Sequence, residues 1–145
     1  YFKKLNDSTL NISFSTTGMT DKIIIYRTSD GMGPAKYRSV ATSVCTVSDI
    51  KTINDFSNVD EFVQYTHRYS IFGESELRQW FREKPNFIVI KMLYNLAFQK
   101  KVIRQAIIDS ANVPSEERWG VMPLTEAQFN HILTLGNADG RYIIY

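Results

Sequence analysis

A single cysteine, Cys45, stands in a chain of 145 residues. One thiol forms no internal disulfide and no zinc site built mainly from thiolates, and it suits a reducing, cytoplasmic compartment. The two histidines, His67 and His131, are far apart and fall in no metal-ligand spacing, so neither a metal nor another cofactor is implied. Charge of one sign is also lacking. Seventeen basic residues against 15 acidic ones leave a formal charge of +2, which creates no global field demanding nucleic acid and leaves room only for a local basic face. No apolar run approaches the roughly 20 residues needed to cross a bilayer, and the N-terminus has no signal-peptide core. The glycines make no phosphate loop either. Gly31-Met32-Gly33-Pro34 is short, lacks the Lys-Ser/Thr pair and precedes no helix pattern, so it reads as a connecting loop.

What is present is a 43% hydrophobic chain of the right length for one compact domain with a full core, and residues 1–145 are read as one domain. It opens on Tyr1-Phe2-Lys3-Lys4 without Met, which fits a piece of a longer protein, with residues 1–9 as a linker from an upstream domain, and equally a processed or partly ordered N-terminus. Leu10, Ile12 and Phe14 alternate with polar residues, the period of a half-buried strand. Ile23, Ile24, Ile25 and Tyr26 form a dense β-branched run, and Asp30, Gly31, Gly33 and Pro34 punctuate a loop after it. From Tyr37 to Val47, Val40, Val44 and Val47 recur among small residues, as in a tightly packed strand. The valines share no single parity, so the core face is not set by pattern, and a bulge is expected near Thr42 or Ser43.

Helical spacing predicts a helix from Asn58 to Thr66 and another from Glu74 to Arg82 with Ser75 as cap. Pro85-Asn86 stops the second. Phe87 to Tyr94 is the most apolar run and reads as a central strand, with Lys91 snorkelling its ammonium out. Gln99 to Ile108 reads as extended and then helical. Thr125 to Gln128 is a capping box opening the best-marked helix, which Gly136 ends, and Arg141 to Tyr145 reads as a closing strand. The expected fold is therefore α+β, a small, mixed, largely antiparallel pseudo-barrel with peripheral helices.

Cations interleaved with aromatics are the main functional signal. Arg27, Thr28 and Ser29 end one strand and Lys36, Tyr37, Arg38 and Ser39 open the next, so a binding mouth is expected between them. Lys91, Tyr94 and the loop-borne Trp119 join this set. Bases stack on aromatic faces while Lys and Arg neutralise phosphates, which suits single-stranded or flipped-out nucleotides. The plainer reading of each is a core ring beside a solvated charge. Trp80, on an apolar helix face, reads as core. Cys45, inside a strand of small residues, reads as a buried inert thiol.

The Asp21-Lys-Ile-Ile-Ile-Tyr-Arg-Thr28 strand, the Ser39-Val-Ala-Thr-Ser-Val-Cys-Thr-Val47 strand, the Phe87-Ile-Val-Ile-Lys-Met-Leu93 strand and the Leu124-Thr-Glu-Ala-Gln-Phe-Asn-His-Ile-Leu133 helix resemble the PUA-like superfamily, in particular its ASCH and EVE branches. The resemblance spans about Thr20 to Leu135. It implies a pseudo-barrel that binds RNA or a modified base, and an upstream fusion partner such as an acetyltransferase; the cations and aromatics themselves suit single-stranded RNA or DNA. The Gly, Lys and Thr signature of the hydrolytic ASCH enzymes is not found. Three functions follow as expectations: a nucleic-acid-binding module; a nucleoside-acting enzyme with Lys36 or Lys91 paired to Glu74 or Glu76; or a regulatory domain serving a fused neighbour. In the first, Tyr37 and Ser39 share the pocket face of a strand while Arg38 reaches a phosphate.

Overall fold

The computed structural model describes residues 21–83, 86–115, 119 and 122–143. The strand expected over residues 10–15 and the linker expected over 1–9 lie outside them. The described elements are β1 (Lys22–Arg27), α1 (Ala35–Arg38), β2 (Val40–Thr52), α2 (Val59–Thr66), α3 (Glu74–Glu83), β3 (Ile88–Ile103), α4 (Arg104–Ala111) and α5 (Glu126–Leu135), with short 3-10 turns at Ile53–Asp55, His67–Tyr69 and Gly140–Tyr142. The architecture mixes helices and strands, which agrees with the α+β expectation only coarsely. Among the described residues the sheet is three-stranded and antiparallel in the order β1-β2-β3, with peripheral helices, and it does not close into a barrel.

The pairing of β1 with β2 runs from Lys22 opposite Thr46 to Arg27 opposite Val40, and its register slips once. Ile25 faces Ser43 and Tyr26 faces Ala41, so Thr42 is the extra residue of a bulge, and its hydroxyl donates to Ile25 O at 3.3 Å. The parity problem in the sequence has a simple cause. From Val40 to Val47 every residue but Thr42 is buried, so both faces of the strand are covered and no alternation survives.

Three expectations are corrected. Residues 37 and 38 are helical rather than the start of a strand: Pro34 presets the backbone ahead of α1, Tyr37 N–H reaches Pro34 O at 3.1 Å and Ser39 N–H reaches Ala35 O at 2.8 Å. The alternation expected for Tyr37, Arg38 and Ser39 goes with it. The closing strand is replaced, as far as it is described, by the 3-10 turn Gly140–Tyr142, because the Asp139 carboxylate accepts Arg141 N–H at 3.0 Å and caps a turn. Ile143 then drops into the core. The third correction concerns Ser75, which lies inside α3 rather than capping it.

The described residues divide into two compact units, one of residues 47–92 and the other of 21–46 with 93–143. In the first, Phe56, Phe62, Val63, Leu77 and Val89 form the core, with Trp80 and Phe81 of α3 packed against it. The periodicity of α2 explains its part: Phe62, Val63 and Thr66 share the buried face, and the Asn58 side chain accepts Glu61 N–H at 3.0 Å. In the second, Val44, Phe98, Val102, Ile107, Ile132 and Leu133 lead the core.

The capping box of α5 forms as the sequence predicts. Thr125 Oγ1 accepts Gln128 N–H at 3.2 Å, Gln128 Oε1 accepts Thr125 N–H at 2.9 Å, and the Gln128 amide donates to Asn112 O at 3.1 Å. Thr125→Ala is expected to lower stability by about 1 kcal/mol, while Thr125→Ser keeps most of it. Denaturant midpoints of the two variants check this; equal midpoints would show that the cap contributes nothing.

Candidate functional site

The expected site residues separate into two sets. Most lie in the second unit, where β1 ends and α1 begins. Arg27 and Thr28 are exposed at the end of β1, and Lys36, Tyr37 and Arg38 are exposed on α1. The loop between them is bound to itself. Ser29 Oγ accepts Gly31 N–H at 3.2 Å, Asp30 Oδ1 accepts Met32 N–H at 3.1 Å, and the Arg38 guanidinium grips both Asp30 oxygens. The Arg38 hydrogen bond, followed by that from Met32 N–H, holds the Asp30 carboxyl well below the usual range. Arg38 is thus already paired with an anion, contrary to a role as an open phosphate contact. Ser39 is buried, and its carbonyl accepts Arg104 N–H at 2.9 Å, so it faces inward rather than rimming a mouth. What remains for a partner at this end is Arg27 and the Lys36–Tyr37 pair, whose ammonium lies 5.0 Å from the ring centroid.

Tyr94 is exposed on β3 in the same unit, whereas Trp119 is half-buried against the core. The Arg104 guanidinium lies 4.6 Å above the Trp119 ring, the Tyr26 ring is 5.4 Å away, and the indole N–H points to Pro114 O at 3.3 Å. The indole is therefore built into the unit's packing on those sides.

Lys91 lies in the first unit, and the structure surrounds it with residues the sequence reading missed. Its ammonium sits 5.5 Å from the Tyr69 ring centroid and 5.9 Å from that of Tyr65. Lys51 approaches Tyr65 at 4.8 Å and Phe56 at 5.5 Å, and the Arg68 guanidinium lies 5.8 Å from Tyr69. The arrangement has local causes. Asp49 and Lys51 are two apart on β2 and so point to one face, where Asp49 Oδ2 accepts the Tyr65 hydroxyl at 2.6 Å and Lys51 covers the ring. Burial, and then the Asp49 hydrogen bond, push the Tyr65 phenol up to about 12. Tyr65 and Tyr69 are four apart, and the 3-10 turn His67–Tyr69 carries the helix far enough to bring both to Lys91. That i, i+4 tyrosine pair is the available sequence signal; α2 ends at Thr66 as expected, and the 3-10 turn beyond it is what has no sequence mark. Lys51 thus serves Phe56 and Tyr65, and Lys91 and Arg68 are the cations at Tyr69.

Next to this cluster α2 and α3 flank an open groove of about 500 Å³ lined by Asp60, Val63, Gln64, His67, Arg68, Glu74 and Arg78. Arg78 bridges its two carboxylates, at 2.7 Å to Asp60 Oδ1 and 2.9 Å to Glu74 Oε1. No lysine lines it. The lysine–carboxylate pairing considered for an enzyme is therefore not assembled in this groove, and Glu76 is simply exposed on α3. Cys45 is buried and burial raises its thiol pKa, the opposite of what activates a nucleophile. Among the described residues no cluster of three or more His, Cys, Asp or Glu side chains is placed to hold a metal ion, and no helix is long and apolar enough to cross a membrane. Compared with protein-family models, curated proteins and solved structures, the chain has no significant match in any of the three.

Proposed function

We propose that this protein is a nucleic-acid-binding module that takes single-stranded RNA or DNA, including unstacked or modified bases, on a basic and aromatic face. The observation that carries the reading is the Lys91–Tyr69–Arg68 cluster of the first unit, where two cations flank a ring that is 70% exposed. Both cations lie over this exposed ring at 5.5 and 5.8 Å, from where they can shift to the flanking phosphates as a base stacks on it. Arg27 and the Lys36–Tyr37 pair supply the same combination on the second unit. The resemblance to the PUA-like superfamily points the same way. The pseudo-barrel that this implies needs more strands than three, and the alternation of Leu10, Ile12 and Phe14 has the pattern of one. A cytoplasmic setting agrees with a lone buried cysteine, and a fused upstream catalytic domain would make this chain its targeting module.

Fluorescence anisotropy of labelled single-stranded RNA and DNA at low salt tests the reading. Tyr69→Ala is expected to weaken binding by about 1–3 kcal/mol through lost stacking. Lys91→Ala should reduce the dependence of log K on log salt by about one phosphate contact. Both side chains are exposed, so neither change should alter folding. No binding to any oligomer at low salt, modified bases included, would sink the proposal.

A further inference from the structure

The groove between α2 and α3 has a chemistry that stacking and phosphate contacts leave unused. It adjoins the Tyr69 cluster through one residue, since Arg68 both lines the groove and lies 5.8 Å from the Tyr69 ring. Its volume of about 500 Å³ falls in the range of small-molecule sites. The lining is mixed rather than basic. Val63, which is buried, provides an apolar patch; His67, Arg68 and Gln64 sit on the α2 side; Asp60 and Glu74 stand either side of Arg78. A phosphate would meet two carboxylates there. A nucleobase edge, with donors and acceptors side by side, would not suffer that repulsion.

Arg78 occupies one oxygen of each carboxylate, Oδ1 of Asp60 and Oε1 of Glu74. The second oxygen of each has no partner among the described residues and remains an acceptor. Carboxylates at a base edge accept from exocyclic amino groups, as in the pairing of Asp or Glu with the cytosine N4 amino group. Cytosine and adenine carry such a group, and uracil does not. Arg68 is placed to hold the phosphate between a base in the groove and its neighbour on Tyr69.

Resting on the nucleic-acid reading, we infer that this groove is a base-edge subsite in which Asp60 and Glu74 select nucleobases bearing an exocyclic amino group. The residues that bind and those that select are then different. Lys91 and Tyr69 act on every sequence, and Asp60 and Glu74 act on base identity.

The test measures the full chain against short labelled homopolymers of cytidine, adenosine and uridine. Cytidine and adenosine strands are expected to bind about five- to twentyfold more tightly than uridine strands, the lower part of what one good base-edge contact supplies. Asp60→Asn and Glu74→Gln should compress that preference to within about twofold. With unaltered protein, N4,N4-dimethylcytidine strands should fall to the uridine level, a readout independent of whether any variant folds. Equal binding of all homopolymers, or a preference that survives both substitutions and the dimethylated base, overturns the subsite. If Lys91→Ala still weakens all strands in that case, the binding face stands and only the groove assignment falls. Failure of every homopolymer to bind overturns both.

Discussion

Phe62→Ala is expected to cost about 3–5 kcal/mol, a large share of what holds a domain of this size together. Phe62 is fully buried at the centre of the first unit. Its ring stands 5.4 Å from Phe56 edge-on, 5.4 Å from Phe81 and 5.0 Å from Phe87. Removing it forfeits the burial of a fully buried phenyl ring and three ring contacts worth about 0.5–1.5 kcal/mol each beyond area alone. The hole would not collapse readily, because its walls come from separate elements: Phe56 follows the first 3-10 turn, Phe81 is on α3 and Phe87 leads into β3. Phe62→Leu refills part of the space and should lose much less. Urea unfolding gives the magnitude, and amide hydrogen exchange should show protection lost first within residues 47–92. A loss below about 1 kcal/mol would mean that the ring is not central to the core.

Gly136→Ala is the second large effect, expected at the upper end of the roughly 1–3 kcal/mol that overpacking costs. A Cβ at this position would lie 2.6 Å from Phe98 Cγ and 2.8 Å from Cδ2, and Phe98 is itself buried in the second core. Cγ is the root of a rigid ring, so no terminal rotation relieves the clash. Backbone movement is resisted too, since Gly136 O accepts Lys100 N–H at 3.1 Å and ties the end of α5 to β3. Relief must come from Phe98. The double variant Gly136→Ala with Phe98→Leu should therefore be less unstable than the two single losses added together, a coupling that denaturant midpoints will read. Strict additivity would place the ring elsewhere.

This glycine shows how a correct reading can have the wrong reason. Gly136 does end α5, as the sequence predicts for a residue that tolerates left-handed backbone, yet its φ is −76° and the left-handed residue is Asn137 at φ 50°. Glycine is needed there for space against Phe98, a demand made by a residue on a different element. The strand-ending cations show the opposite case. Arg38 and Lys36 were legible as cations beside Tyr37, but Pro34 and the Asp30 side chain turn that stretch into α1 and neutralise Arg38. Of the cluster around Tyr69, only Lys91 was legible as a site residue. Lys51, Tyr65, Arg68 and Tyr69 each look like ordinary surface residues until β2, β3 and the end of α2 are laid side by side.

By itself the sequence determined whatever depends on a side chain and the backbone a few residues away. The β-branched run of β1, the 3.6-residue spacing of α2 and α3, the Asn58 cap and the Thr125–Gln128 box all act within about one turn or one strand length. Tertiary structure alone decided which faces were covered and which charges met which rings. Burial of both faces of β2 erased the alternation that would have marked its core side. Lys91 and Tyr69 are brought together by the packing of β3 beside the end of α2. Contacts of that kind are set by the joint packing of distant segments, which no local period encodes.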